Sequence, residues 1–252
     1  MSNGYITSHF NNNITTIEFF HPAQNSLPGH LLAELVSHIN QAGADENTIL
    51  IILKSEGDRS FCAGASFTEL SSIQDFETGK KFFMGFAGVI NAIRKCPKIV
   101  IGRVHGKAVG GGVGLAAACD YSMATKYASI RLSELAVGIG PFVIGPAVER
   151  KIGLSAFSQM AINATEWQTA EWGKQKGLFT EVFDTVEQLD AYIDHFTSDL
   201  VKKNPSALMQ LKQIFWEGTD HWDLHLEQRA EMSGRLILSD FAKDAIAAFL
   251  QA

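Results

Sequence analysis

Between Gly106 and Gly114 the chain reads Gly-Lys-Ala-Val-Gly-Gly-Gly-Val-Gly, just after the apolar run Ile99–Val104 and just before an alanine-rich stretch ending at Cys119. Few segments limit a fold as tightly. Glycines lose the most backbone freedom on folding, so three in succession mark a sharp turn or a close approach to the backbone. A short apolar run with polar flanks suits a strand buried on both faces. The segment therefore predicts a buried strand, a tight turn and a helix over Val113–Cys119. Free backbone N–H groups and the positive end of a helix dipole meet at that turn.

A second glycine turn, Phe61-Cys62-Ala63-Gly64-Ala65-Ser66, follows another apolar run, Thr48–Leu53. Either turn alone could be tight helix–strand packing. Two of them after buried strands favour a binding site. Elsewhere Tyr5–Phe10 and Ile14–Phe19, joined by Asn11-Asn12-Asn13, predict a hairpin. Leu31, Leu35 and Ile39 mark one face of a helix. A second helix spans Phe76–Lys95 and stops before Pro97. Further strands are expected at Tyr121–Thr125, Ser129–Leu132 and Thr180–Phe183. From Val186 onward the pattern is helical. Strand–helix alternation followed by helices implies an α/β fold of stacked βαβ units. The expected division is a core over 1–185 and a helical region over 186–252, packed on that core or on a neighbouring subunit.

The composition narrows the class. The 252 residues are 46% hydrophobic and 19% charged, and 21 Lys plus Arg against 27 Asp plus Glu leave a net charge of −6. That argues against disorder and against a nucleic-acid-binding surface, while leaving room for a local basic pocket. The N-terminus lacks the features of a signal peptide. The most apolar stretch, Lys98–Asp120, is interrupted by Arg103, His105 and Lys107, so no membrane span is expected. Cys62, Cys96 and Cys119 are scattered and odd in number, which suits buried free thiols in a cytoplasmic protein.

Motif tests remove several chemistries. Gly102–Ala108 fails the phosphate-loop pattern in spacing and in its last residue. Gly112-Val113-Gly114-Leu115-Ala116-Ala117 does match G-x-G-x-x-A, with Glu134 lying 20 residues past Gly114. A dinucleotide loop, however, starts at the end of its strand. Here His105–Gly111 intervene, which makes a nucleotide-dependent oxidoreductase the weaker alternative. His105 is the one histidine near a glycine turn, and a structural role suits it. Glu134 lies among small and apolar neighbours, so it must be paired or shifted in pKa. Arg131 is the obvious partner.

Together, Phe61–Ala65, Gly106–Asp120 (GKAVGGGVGLAAACD) and Leu132–Pro141 (LSELAVGIGP) resemble the enoyl-CoA hydratase/isomerase (crotonase) superfamily. The resemblance implies a crotonase-like spiral of stacked ββα units with a C-terminal helical trimerisation region, as a homotrimer or hexamer. It implies an acyl-CoA substrate, with coenzyme A as part of the substrate and no separate cofactor. Two backbone N–H groups, of Ala65 and Gly111, would stabilise an enolate-like oxyanion, and Glu134 would move the proton. Ala23, Gln24, Ala63, Gly64, Gly110 and Phe142 are the implied substrate contacts. Three positions depart from the pattern. Gly114 stands where hydratases of the familiar type carry a first glutamate. Phe142 replaces a glycine and should shape or shorten the acyl pocket. Ser66 and Thr68 replace an aspartate and a lysine. One carboxylate suffices for a double-bond shift, whereas water addition usually uses two. Yet GGGVGL with LSE, Gly138, Pro141, Ile144 and Pro146 looks similar to a branch of enoyl-CoA or methylglutaconyl-CoA hydratases. Hydratase and isomerase both stay open, beside a catalytically altered protein that only binds CoA thioesters.

Overall fold

The computed structural model describes residues 4–251. Strands β1 (Tyr5–Asn11) and β2 (Ile14–Phe20) form the expected antiparallel hairpin. Asn12 and Asn13 turn it with φ of 51° and 63°, a left-handed conformation that asparagine tolerates. Helix α1 (Gly29–Ala44) buries Leu31, Leu35 and Ile39. Then β3 (Leu50–Ser55) runs parallel to β2.

The crossovers hold more than helices. After β3 comes a short strand, β4 (Ser60–Cys62), before helices α2 (Phe67–Ser72) and α3 (Phe76–Lys95). After β5 (Ile99–Val104) comes β6 (Lys107–Val109), before α4 (Gly111–Ala118). After β7 (Tyr121–Thr125) comes β8 (Ile130–Arg131), then a 3₁₀ turn over Glu134–Val137 and α5 (Gly145–Ile162). Gly153, at φ +76°, breaks α5. Helix α6 (Ala170–Lys176) and β9 (Glu181–Phe183) close the core. One sheet is ordered β1-β2-β3-β5-β7-β9 and the other β4-β6-β8. The pairs β3/β4, β5/β6 and β7/β8 thus give one strand to each sheet, and the repeat is ββα rather than the βαβ read from periodicity. Strands of two or three residues are too short to show a period.

The larger sheet is covered on both faces, which explains its unbroken apolar runs. Ile51 and Leu53 join the main core with α1 and α3, while Leu50 and Ile52 join Ile99, Ile101 and Met123 in a second cluster. Helices α7 (Val186–Leu200) and α8 (Pro205–Phe215) cover that second face through Leu189, Ile193 and Leu208. A buried ion pair fixes α8: Lys212 Nζ lies 2.5 Å from Asp120 Oδ2. The same carboxylate accepts from the Trp216 indole N–H at 2.8 Å and the Val100 N–H at 2.8 Å. Helix α9 (Trp222–Leu236) lies on α3, with Gly234 backbone against Gly79. Helix α10 (Asp240–Gln251) reaches back to α2 by stacking Phe249 on Phe67, with centroids 4.0 Å apart. The three cysteines are buried and free, and burial pushes the Cys62 and Cys119 thiols up to about 12. Among the described residues no helix is long and apolar enough to cross a membrane.

Candidate active site

The small sheet assembles the site. Strands β4, β6 and β8 are parallel neighbours, with Cys62 opposite Ala108 and Val109 opposite Arg131. Their carboxyl ends therefore open on one edge. From β4 come Ala63, Gly64 and Ala65. From β6 come Gly110 and the start of α4. From β8 comes the turn holding Glu134. Ligands of α/β proteins favour such an edge.

Hydrogen bonds tie the three segments together. The Gly110 N–H donates to the Arg131 carbonyl at 2.8 Å, and the Leu27 N–H donates to the Gly64 carbonyl at 2.8 Å. Gly64 has φ +85°, and a Cβ there would lie 2.7 Å from the Val109 carbonyl oxygen and 3.2 Å from the Gly111 nitrogen. Only glycine allows the two turns to meet so closely. Gly111 is the first residue of α4, where no intrahelical acceptor exists. Among the described residues neither the Ala65 nor the Gly111 N–H has a protein acceptor.

Beside them is a cavity of about 550 Å³, measured out to its open mouth. Ala63, Gly64, Ala65, Gly110, Gly111, Glu134 and Phe142 line it, so seven of the nine residues proposed from sequence meet there. Ala23 and Gln24 do not line it. They sit on an exposed turn, and Gln24 acts through its backbone, whose carbonyl accepts the Ala63 N–H at 3.1 Å. The remaining wall is mostly aromatic and aliphatic, from α2 (Phe67, Leu70), α3 (Phe83, Phe86) and residues 137–144, and α9 supplies Ser233. Phe86 in particular closes over Gly111, where a Cβ would meet the ring Cε1 at 2.2 Å. The phenylalanines carry a helical period in the sequence, but that period reads as core. Ser233 had no signal at all.

Among the described residues Glu134 is the one carboxylate on this wall. Its Oε1 lies against the Gly110 backbone, 2.9 Å from where a Cβ would stand. The residue as a whole is half-buried, yet Oε2 is sealed and has no hydrogen-bond partner. Burial pushes the carboxyl up to about 7, opposed by its own backbone N–H. A carboxyl near neutrality can take up or give back a proton with little cost either way.

One expectation needs correction, and two readings disfavoured by the sequence stay disfavoured. Arg131 does not pair with Glu134. Arg131 ends β8 and stacks its guanidinium 4.5 Å from the centre of the Trp167 ring, while Glu134 sits in the 3₁₀ turn that follows. His105 is not part of the site: it is buried beside Arg103, 3.3 Å away, and burial lowers it to about 4. The G-x-G-x-x-A match lies inside α4. A Cβ at Gly112 would strike the Cys62 carbonyl at 2.3 Å, and one at Gly114 would strike Ile144 at 2.5 Å. Those glycines serve packing, not a pyrophosphate.

Residues 9–251 match a model of the family described as enoyl-CoA hydratase/isomerase. A probable enoyl-CoA hydratase of Bacillus subtilis is 28% identical, over 94% of this chain and 92% of that protein. A peroxisomal Δ(3,5)-Δ(2,4)-dienoyl-CoA isomerase of Arabidopsis thaliana is 25% identical, over 92% of this chain and 93% of that one. The crystal structure of an enoyl-CoA hydratase from Bacillus halodurans superposes with a TM-score of 0.89 at 21% identity, covering 97% of this chain and 99% of the other.

Proposed function

Given that the chain belongs to the enoyl-CoA hydratase/isomerase family, we propose that it binds an unsaturated acyl-CoA thioester and shifts its double bond, with Glu134 as the single acid/base. In this reading the thioester oxygen accepts from the Ala65 and Gly111 N–H groups. Glu134 removes a proton from the α carbon. The electron pair delocalises onto the thioester oxygen as an extended enolate. Glu134 then returns the same proton to the γ carbon, leaving the double bond between the α and β carbons. No water enters, and enzyme and proton count are restored.

The observation that carries the reading is the unpartnered Glu134 carboxyl, raised to about 7, alone among the cavity's residues in being acidic. Each backbone donor to an oxyanion is worth about 2.7–4 kcal/mol of barrier. Position 114 supplies no second acid, and among the described residues no other segment delivers one to the cavity wall. A second reading, hydration, is favoured by the relative described as a probable hydratase. Assays of Δ3–Δ2 isomerisation and of hydration across a panel of enoyl-CoAs separate the two. Isomerisation exceeding hydration on every chain length supports the first reading. The reverse ratio supports the second. Thioester binding without turnover of either kind would make the protein a binder only.

We also propose a homotrimeric assembly, alone or paired into hexamers. Leu211, Ile214, Phe215 and Leu224 on the C-terminal helices are exposed, which suits an apolar contact with another subunit. Light scattering at micromolar concentration tests this, and a monomer mass would contradict it.

A further inference from the structure

Phe142 stands between two hollows. Its ring lies over Gly140, where a Cβ would come 2.3 Å from the ring Cε1, and its N–H donates to the Gly140 carbonyl at 2.7 Å. On one side is the cavity that holds Glu134. On the other is a larger, solvent-open hollow between α5 and α9, and Pro141 and Phe142 line both.

The two hollows differ in charge. Among the described residues the inner wall carries no lysine, arginine or histidine, and its one titratable side chain is acidic. A carboxylate at the end of an acyl chain would be stripped of water there with no cation to meet it, which is strongly unfavourable. The outer wall carries Arg150, Arg229 and His225 against one carboxylate, Glu149. Among the described residues neither Arg150 nor Arg229 takes part in a salt bridge; Arg150 stacks 5.3 Å over the Trp216 ring instead.

Resting on the acyl-CoA reading above, we propose that Phe142 is the residue that sets acyl specificity, a partition that confines the substrate to a short, uncharged acyl group. A chain that outgrows the inner cavity runs into the Phe142 ring. With the ring gone, the same chain would continue into the outer hollow, where a terminal carboxylate meets unpaired arginines.

Binding of saturated thioesters tests this without relying on turnover. Butyryl-, hexanoyl-, octanoyl- and adipoyl-CoA would be titrated by calorimetry into the wild-type protein, Phe142→Gly and Phe142→Leu. Each buried methylene is worth about fourfold in affinity. The wild type should gain nothing from butyryl to octanoyl and should bind adipoyl-CoA more weakly than hexanoyl-CoA. In Phe142→Gly the octanoyl-to-butyryl and adipoyl-to-hexanoyl affinity ratios should each rise about tenfold or more. Phe142→Leu, which keeps an apolar side chain, should fall between and guards against misfolding of the glycine variant. Ratios unchanged in both variants, with binding intact, would overturn the partition and leave the acyl-CoA reading standing. Absence of binding by all four thioesters to the wild type would overturn that reading, and the partition with it.

Discussion

Ile144 fills the space that any side chain at position 114 would need: a Cβ on Gly114 would lie 2.5 Å from Ile144 Cγ2 and 2.7 Å from Ile144 Cβ. Resemblance places a first glutamate of hydratases at this position. The chain has not left an empty slot there. It has packed the slot with an aliphatic side chain that also lines the Glu134 cavity.

Gly114→Glu alone should therefore not create a second acid. It overpacks a buried helix, which typically costs about 1–3 kcal/mol, and adds the cost of burying a carboxyl. Gly114→Glu combined with Ile144→Ala should recover part of that loss and open a path to the cavity. Thermal melts and hydration assays on both variants check this. The double variant should be the more stable and should show the greater hydration rate.

The pH dependence follows from Glu134. Its carboxyl rises from an ordinary 4.5 to about 7 in the folded protein. The fold thus holds this proton more tightly than the unfolded chain does. The stability it contributes is fully present below about pH 4.5, falls between 4.5 and 7, and is gone above that. The span corresponds to about 3 kcal/mol. Chemical denaturation of wild type and Glu134→Gln from pH 5 to 8.5 should show the variant gaining on the wild type as pH rises. Activity runs the other way: the rate limited by Glu134 as base should climb through about pH 7.

Gly110→Ala tests the seat of the carboxylate. At φ +52°, with Glu134 Oε1 2.9 Å from the new Cβ, the alanine strains the turn and displaces the acid. Stability should fall by about 1 kcal/mol or more. Turnover should fall further than KM rises, because the displaced group acts on the reacting carbons.

Asp120 and Lys212 anchor the helical tail. Their side chains are each 2% exposed and 2.5 Å apart. Lys212→Met leaves a buried carboxylate without its cation, a change that typically costs about 3–5 kcal/mol. The double change to Asp120→Asn and Lys212→Met should cost less than the single one. Denaturant midpoints of the two proteins decide it.

Much of this architecture is legible in the residues because it is periodic or punctuated. Helix α3 begins and ends where its apolar stripe and Pro97 place it, and β5 and β7 match their apolar runs. The small sheet is not legible, because β6 is three residues hidden inside the glycine segment and β8 is two. Parallel pairing of such short pieces depends on the whole spiral. The same limit explains Arg131, three residues from Glu134 in sequence but turned toward Trp167. The glycine turns and Glu134 stand out locally, since only backbone donors and one buried acid are needed. The wall opposite them comes from α3, residues 137–144 and α9, which tertiary packing alone brings together.

The most direct measurement is turnover and binding in Glu134→Gln, compared with wild type on the best enoyl-CoA of the panel. The variant keeps the shape and loses the titrating group. The expected result is a fall in isomerisation of about 10²-fold or more, with affinity for the thioester little changed. Turnover equal to wild type in the variant would contradict the role given to Glu134.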